Sequence, residues 1–304
     1  MKPIAFIIIT YNRPADTLAL LQNIAGMEKA NELLEEIVLI NNASNSDYAK
    51  VEAYIAANKQ LPVYYYFSEE NLGVARGRNL AIQKSKAPIL IMLDDDAVLQ
   101  NSDAFVRLIA EYEKVNTAKP KAIVSFKVLY YDTLEIQENA FPHKKFSKYK
   151  DKKFFETYYY AGGAHAIKRD ALNRVGSYPV DFFYGMEEYD LSYRILDAGY
   201  SIVYSDAIVM LHKESPLGRK PRNEKLRMMW LNKAKVAWRY LPRKYYFSTA
   251  IMWSVQYLKT TSFDLAGFFK GWNEVLSIIK KEKRSPIKKE TVQYLKKVEA
   301  RLWY

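Results

Sequence analysis

Three consecutive carboxylates, Asp94-Asp95-Asp96, close the apolar run Pro88-Ile89-Leu90-Ile91-Met92-Leu93. A run this short and this apolar reads as a strand buried on both faces of a parallel sheet. Adjacent acids repel one another and lose hydration beside a core unless something pairs with them. The carboxyl end of a strand in an open α/β sheet is also where ligands bind. Alternation along extended backbone sends Asp94 and Asp96 one way and Asp95 the other. Hard oxygen ligands in that arrangement suit Mg²⁺ or Mn²⁺ carrying a substrate's phosphates. At a solvent-facing strand end, removal of Asp96 is expected to cost little packing.

A second acidic group stands at Gly185-Met186-Glu187-Glu188-Tyr189-Asp190-Leu191, directly after the aromatic run Phe182-Phe183-Tyr184. With Gly199 as a stop, residues 188–198 read as a helix with its acids in the first turn. Rings that shield the pocket from water and a carboxylate within it are what abstraction of a hydroxyl proton requires. Glu188, Glu187 and Asp190 all remain candidates for that base. The chain has no Cys and only three His (His143, His165 and His212), so disulfides, zinc-thiolate sites and thiol nucleophiles are excluded. Any metal is therefore held mainly by carboxylates. His212 closes an apolar strand pattern over residues 201–212, as a structural hydrogen-bonder or a further ligand.

The elements that must position these groups alternate. Buried strands are expected over residues 4–9, 36–40, 63–67 and 88–93, and helices over 16–27, 48–58 and roughly 71–84. A βαβαβα order means a mostly parallel, Rossmann-like sheet wound in right-handed crossovers. Each strand runs into polar residues: Thr10-Tyr11-Asn12-Arg13-Pro14, Asn41-Asn42-Ala43-Ser44, and Asn71-Leu72-Gly73 through Arg78-Asn79. Gly73 and Gly77 permit close backbone approach, and Arg78 offers a forked cation to phosphate. Further on, Tyr158-Tyr159-Tyr160-Ala161-Gly162-Gly163-Ala164-His165 either stacks on an acceptor sugar or packs internally.

Charge divides the chain. Residues 213–304 carry 22 Lys+Arg against 7 Asp+Glu, a net of +15, whereas the whole chain carries +12 and residues 1–212 therefore −3. The Pro-, Gly- and base-rich segment from Lys213 to Arg222 marks the boundary between an α/β domain, 1–212, and a basic, aromatic-rich helical extension, 213–304. A helix over residues 223–240 places Leu226, Met229, Trp230, Lys233, Ala237 and Tyr240 near one face. No stretch reaches the roughly 20 apolar residues of a membrane span. Rings interleaved with Lys and Arg fit either helices lying on an anionic membrane surface or helices packed on the first domain.

Taken in order, Ile9-Thr10-Tyr11-Asn12-Arg13-Pro14, Asn41-Asn42-Ala43-Ser44, Asn71-x-Gly73-x-Ala75-x-x-Arg78-Asn79, Leu93-Asp94-Asp95-Asp96, Gly185-x-Glu187-Glu188-x-Asp190-Leu191 and His212 resemble the family-two glycosyltransferases, over about residues 4–212. The resemblance implies a GT-A fold and inverting, metal-assisted transfer of a sugar from a UDP- or dTDP-sugar to a hydroxyl of a glycan or lipid-linked acceptor, in bacterial-type polysaccharide biosynthesis. It implies that Thr10, Tyr11, Asn12, Arg13, Asn41, Asn71, Gly73, Arg78, Asp94 and Asp95 meet the nucleotide sugar. It further implies that Asp96, Asp94 and His212 hold the metal, and that Glu188 stands where the family commonly has its base. Where the family often has Asp at position 41, this chain has Asn41, whose amide oxygen still accepts a pyrimidine N3–H without charge assistance. The expected setting is cytoplasmic, on the inner face of the membrane.

Other classes fit less well. A dinucleotide-dependent oxidoreductase requires Gly-x-Gly-x-x-Gly after the first strand, and residues 10–14 contain no glycine. A sugar nucleotidylyltransferase lacks its Gly-rich basic loop at the same place. Nucleic-acid binding suits the basic extension but leaves the acidic strand end unexplained. A relative that binds nucleotide sugar without transferring it remains an alternative.

Overall fold

A computed structural model describes residues 1–217 and 221–303. Residues 218–220, within the expected boundary segment, and Tyr304 lie outside the described residues. Strands β1 (Ile4–Thr10), β2 (Leu34–Asn41), β3 (Val63–Phe67), β4 (Ile89–Asp94), β5 (Ala97–Leu99), β6 (Lys121–Tyr130), β7 (Phe154–Thr157), β8 (Ala164–Lys168) and β9 (Ser201–His212) form one sheet. Helices α1 (Pro14–Ala25), α2 (Ala30–Leu33), α3 (Ala49–Ala57), α4 (Gly73–Lys84), α5 (Ala104–Glu113), α6 (Phe146–Tyr149), α7 (Arg169–Val175) and α8 (Glu187–Asp197) flank it. The extension forms α9 (Arg222–Tyr240), α10 (Arg243–Thr260), α11 (Leu265–Lys281) and α12 (Lys289–Lys297).

The sheet order is β3-β2-β1-β4-β8-β6-β9-β5, with β7 paired to β9. Its first four strands are parallel, as the alternation predicts. Beyond β4 the sheet is mixed: β8 runs antiparallel between β4 and β6, while β9 is parallel to β6. Strands β5 to β8 were not expected from the sequence. Two of them have only three or four residues, too few to display a period.

Alternation along β1 builds two cores. Phe6 and Ile8 pack with Leu20, Leu21 and Ile24 of α1 and with Phe105 and Leu108 of α5. Ala5 and Ile7 face the other side, whose core runs on through Leu191 of α8 to Trp230, Tyr246, Val275 and Leu295 of the extension. The C-terminal helices therefore share a core with the sheet. Trp230 is its hub: Nε1 donates to the Ala250 carbonyl, and its ring lies where a Cβ at Gly271 would stand. Close approach of α11 to α9 requires that glycine.

Candidate active site

The carboxyl ends of β1 and β4 open into a cleft of about 1220 Å³, closed on the far side by α8 and by residues of α9 and α10. Tyr11, Asn12, Arg13, Asn71, Gly73, Arg78, Asp94, Asp95, Asp96, Glu187, Glu188 and His212 all line it. The described structure thus gathers most of the residues singled out from sequence into one place.

One end is acidic and suited to a cation. Asp94, Asp96 and His212 each offer a ligand atom, all within 4.8 Å of one another. Asp96 is buried, only 1% exposed, with Oδ2 accepting from the Ser215 amide at 2.8 Å and ion-paired with Arg13 Nη1 at 3.2 Å. The expectation of a solvent-facing Asp96 is therefore corrected: the β4–β5 turn folds its carboxylate inward, under the segment after β9. Its Oδ1 lies 3.3 Å from His212 Nε2 yet has no regular hydrogen bond. His212 Nδ1 donates to Gln137 Oε1 at 2.8 Å, and Gln137 in turn donates to Glu214. That arrangement aims Nε2 at the orphaned oxygen, and a metal ion bound between them would meet the Nε2 lone pair of an imidazole whose Nδ1 has the usual second-shell support of a metal ligand. The residues present therefore fit Mg²⁺ or Mn²⁺. Burial would raise the Asp96 pKa, but the His212 contact and the Arg13 charge outweigh it and hold Asp96 below the usual range.

Asp95 takes a different part. It accepts from Arg13 Nη1 at 2.8 Å and from the Tyr11 amide at 3.3 Å, and burial pushes its pKa up to about 7 against the pull of Arg13. Arg13 also donates to the Leu217 and Ser215 carbonyls. Rather than presenting a fork to a nucleotide, Arg13 ties the triple-Asp turn to the segment after β9. Asn12 behaves similarly, its Oδ1 accepting from the Asn45 and Ser46 amides.

Arg78 joins the two acidic groups. Buried on α4, it stands 3.5 Å from Asp94, 3.3 Å from Glu187 and 3.9 Å from Glu188. The expectation of a guanidinium open to phosphate is revised: the carboxylates on both sides engage it, and against burial Tyr178 and then those carboxylates keep its pKa raised.

The other end is set by α8. Gly185 and Met186 both adopt positive φ, 76° and 72°, turning the chain so that the helix begins at Glu187 inside the cleft. Glu187 is fully buried against Arg78, while the Glu188 side chain keeps 19% exposure. Burial is the first cause that raises both pKa values; the neighbouring Glu187 charge adds to it for Glu188, and Arg78 opposes it. Gly162 and Gly163 run across from these acids. A Cβ at Gly162 would overlap Glu188 Oε1, and one at Gly163 would overlap the Asp94 carboxylate.

Three expected residues do not line the cleft. Thr10 is buried toward α1 and α3, its hydroxyl bonded to Thr17 and Tyr48. Asn41 donates to Tyr65 and accepts from the Ser44 amide, so its carbonyl is not offered to a base. Its neighbour Asn42 lines the cleft instead, clasping Asn71 and the Leu72 amide. Asp190, two positions beyond Glu188 on the helix, is held by Arg194, Arg239 and Tyr240 and is removed as a base candidate. His165 is a core histidine between the Ala161 carbonyl and Tyr178. Sequence reasoning missed Gln137, Lys144, Trp253 and Arg301 in the lining, and it read Lys233 only as part of a packing face. None of them sits in a local pattern that could have flagged it.

This architecture, a nucleotide-binding-type half-sheet continued by a mixed half with an acidic strand end between them, is the GT-A fold. Residues 5–176, more than half of the chain, match the family model for glycosyl transferase family 2, and the protein belongs to that family. An uncharacterised protein of Haemophilus influenzae is 30% identical over 177 residues, 58% of this chain and 92% of that protein. Among solved structures, GalNAc-T7 with UDP, GalNAc and Mn²⁺ superposes with a TM-score of 0.65 at 18% identity, over 93% of this chain and 58% of that one. The 1–349 fragment of S. aureus TarS with UDP-GlcNAc superposes with a TM-score of 0.60 at 12% identity, over 91% of this chain and 81% of that fragment. The chain thus spans little more than half of the GalNAc-T7 chain.

Proposed function

We propose that the protein is an inverting glycosyltransferase that moves a sugar from a UDP- or dTDP-sugar to a hydroxyl of a glycan or lipid-linked acceptor, in polysaccharide biosynthesis. The observation that carries this reading is one cleft holding a cation-suited triad, Asp94, Asp96 and His212, and a separate, partly exposed carboxylate, Glu188. Asp94, Asp96 and His212 would hold Mg²⁺ or Mn²⁺, which when bound neutralises charge developing on a departing diphosphate. Tyr11, Asn12, Asn71 and Gly73 line the part of the cleft that takes the nucleoside. The acceptor oxygen attacks the anomeric carbon opposite the leaving group while Glu188 takes its proton. The bond from that carbon to the phosphate oxygen breaks, and its electron pair leaves on the nucleoside diphosphate. Glu187, pinned on Arg78 and buried, positions the helix end rather than receiving the proton. Residues 1–212 form the catalytic unit, and residues 213–304 wall the acceptor side.

Membrane association belongs to the same reading. No described helix is long and apolar enough to cross a bilayer. Phe247, Ile251 and Val255 are nevertheless exposed at successive turns of α10, and Leu265, Phe269 and Leu276 are exposed on α11. Arg243, Lys244 and Lys259 on α10 and Lys270, Lys280 and Lys281 on α11 accompany them. Apolar side chains among cations suit the anionic inner face of the cytoplasmic membrane, where a lipid-linked acceptor is found.

The direct test screens nucleotide sugars for Mn²⁺-dependent hydrolysis and for Mn²⁺-dependent thermal stabilisation. Stabilisation by UDP or dTDP and slow release of the free sugar are expected. Binding without any release, even with acceptor fractions added, would favour a protein that binds the donor and transfers nothing.

A further inference from the structure

Helix α9 grips the chain at the point where the acidic helix begins. Asn232, buried at 3% exposure, donates from Nδ2 to the Tyr184 carbonyl at 3.1 Å and to the Gly185 carbonyl at 3.0 Å. Those two carbonyls belong to the turn of positive φ from which α8 starts. Lys235 and Arg239 follow at i+3 and i+7, so all three side chains leave one face of α9. Lys235 donates to Asp181 Oδ2 at 2.6 Å, and Arg239 donates to the same oxygen at 2.7 Å. Arg239 also reaches Asp190, on the first turn of α8, through Nη1 at 3.2 Å. Asp181 and Asp190 bracket the segment that carries Gly185, Met186, Glu187 and Glu188. Met229, earlier on the same helix, has its Cγ 2.9 Å from where a Cβ at Gly185 would stand. The approach of α9 to the turn therefore requires glycine there for room as well as for φ.

A residue other than glycine keeps a positive φ only when its surroundings hold it there. Met186, at 72°, is such a residue, and its carbonyl accepts from the Tyr189 and Asp190 amides of the opening turn of α8. The direction of that turn, and with it of Glu188, thus depends on backbone held from outside. On one side the Phe183 carbonyl accepts from the Val74 amide of α4. On the other side stand Asn232 and Arg239. We propose that Asn232 and Arg239 are positioning residues: acting through the Tyr184 and Gly185 carbonyls and through Asp190, they fix the angle at which Glu188 meets the acceptor hydroxyl. The basic extension then does more than wall the cleft, because displacing a reacting group by about 1 Å costs much of the rate. The inference deepens the transferase reading and rests on it for the proton transfer; the clamp on the turn rests on geometry alone.

The test compares three variants of the full chain with wild type, in the presence of Mn²⁺ and UDP or dTDP. Asn232→Ala removes both donors to the turn. Arg239→Gln removes the clamping charge yet leaves each carboxylate a partner: Lys235 for Asp181 and Glu282, and Arg194 with Tyr240 for Asp190. Arg227→Gln, the control, breaks instead an ion pair between α9 and Glu274 of α11. Hydrogen exchange at the amides of residues 184–190 should quicken by about tenfold or more in the first two variants and stay as in wild type in the control. With the nucleotide sugar that the wild type turns over, kcat should fall by about tenfold or more in the first two, while the donor KM and the nucleotide Kd stay within about twofold of wild type. The control should keep the wild-type kcat. Unchanged exchange across residues 184–190 in the clamp variants, an equal loss of kcat in Arg227→Gln, or a parallel loss of nucleotide affinity would each overturn the proposal. Should Asn232→Ala fail to fold, Arg239→Gln decides the same comparison. If the wild type turns over no nucleotide sugar, the transferase reading fails, and the exchange measurement still decides the clamp.

Discussion

Glu187 and Glu188 are adjacent on one helical turn, yet Arg78 stands 3.3 Å from the first and 3.9 Å from the second. A base must be open to the acceptor and poised to take a proton, and burial with a neighbouring negative charge prepares Glu188 for that. Glu188→Gln keeps size and polarity but cannot take the proton, so kcat should fall by about two to four decades with donor affinity nearly unchanged. A base works only when ionised, so kcat/KM should rise with pH through the Glu188 pKa. Because that pKa is raised, the acid limb should lie above the ordinary glutamate value of about 4.3, and what residual activity Glu188→Gln retains should lack this limb. Near-normal turnover in the variant, or an acid limb at the ordinary position, would remove Glu188 from the role. At the other end of the cleft, burial changes the choice of variant. Asp96→Ala would remove one of the two carboxylates that pair with Arg13 and the group that faces His212 Nε2, a loss on the order of 3 kcal/mol in stability. Asp96→Asn preserves the shape while removing the charge, and should weaken Mn²⁺-dependent nucleotide binding by about tenfold or more. Wild-type metal dependence in that variant would show the site to be misassigned.

At the scale of elements, two features aim the acids: the positive-φ pair Gly185-Met186, which starts α8 in the cleft, and the Gly162-Gly163 segment entering β8. The glycines separate the two chemical roles, because each faces a different carboxylate. Gly163→Ala should displace Asp94 and weaken Mn²⁺-dependent nucleotide binding. Gly162→Ala should displace Glu188 and lower turnover by about tenfold or more while nucleotide binding persists. Isothermal titration beside initial-rate kinetics distinguishes these outcomes; identical profiles for the two variants would mean that the segment acts only as a structural unit.

The whole molecule constrains how membrane association can be tested. Cutting the chain after Ser277 would remove buried Leu295, the Val298 carbonyl that bonds His143, and Glu299, which pairs with Lys145 and Lys148. Such a truncation would damage the shared core. Paired surface changes, Phe247→Ser with Phe269→Ser, leave that core alone. Wild-type protein should sediment with anionic vesicles at low salt and release as salt rises, since exposed charges are screened over about 10 Å at 0.1 M. The paired variant should sediment less while binding nucleotide normally. Equal recovery of wild type with neutral and anionic vesicles would dismiss the membrane surface as a partner.

Much of this site is written locally. The buried run into Asp94-Asp95-Asp96, the helix that follows Gly73 and the acids opening α8 each depend on residues within a few positions of one another, and periodicity reveals them. Spacing along the chain also places those strand ends on one edge of a parallel sheet. What it does not encode is which distant group answers each charge. Arg78 meets Glu187 from 109 residues away, and Arg13 reaches the Leu217 carbonyl across 204. Those meetings turned two expected contacts of the nucleotide sugar into organisers of carboxylates, and other long-range contacts hold Asn41 inward and tie Asp190 to Arg239. Lys233 shows the same limit from the other side. Its helical face was evident from spacing, but its burial against the Tyr189 ring is decided by how the folded chain packs α9 on α8. Secondary structure follows from short-range patterns, whereas electrostatic pairing follows from where the folded chain crosses itself.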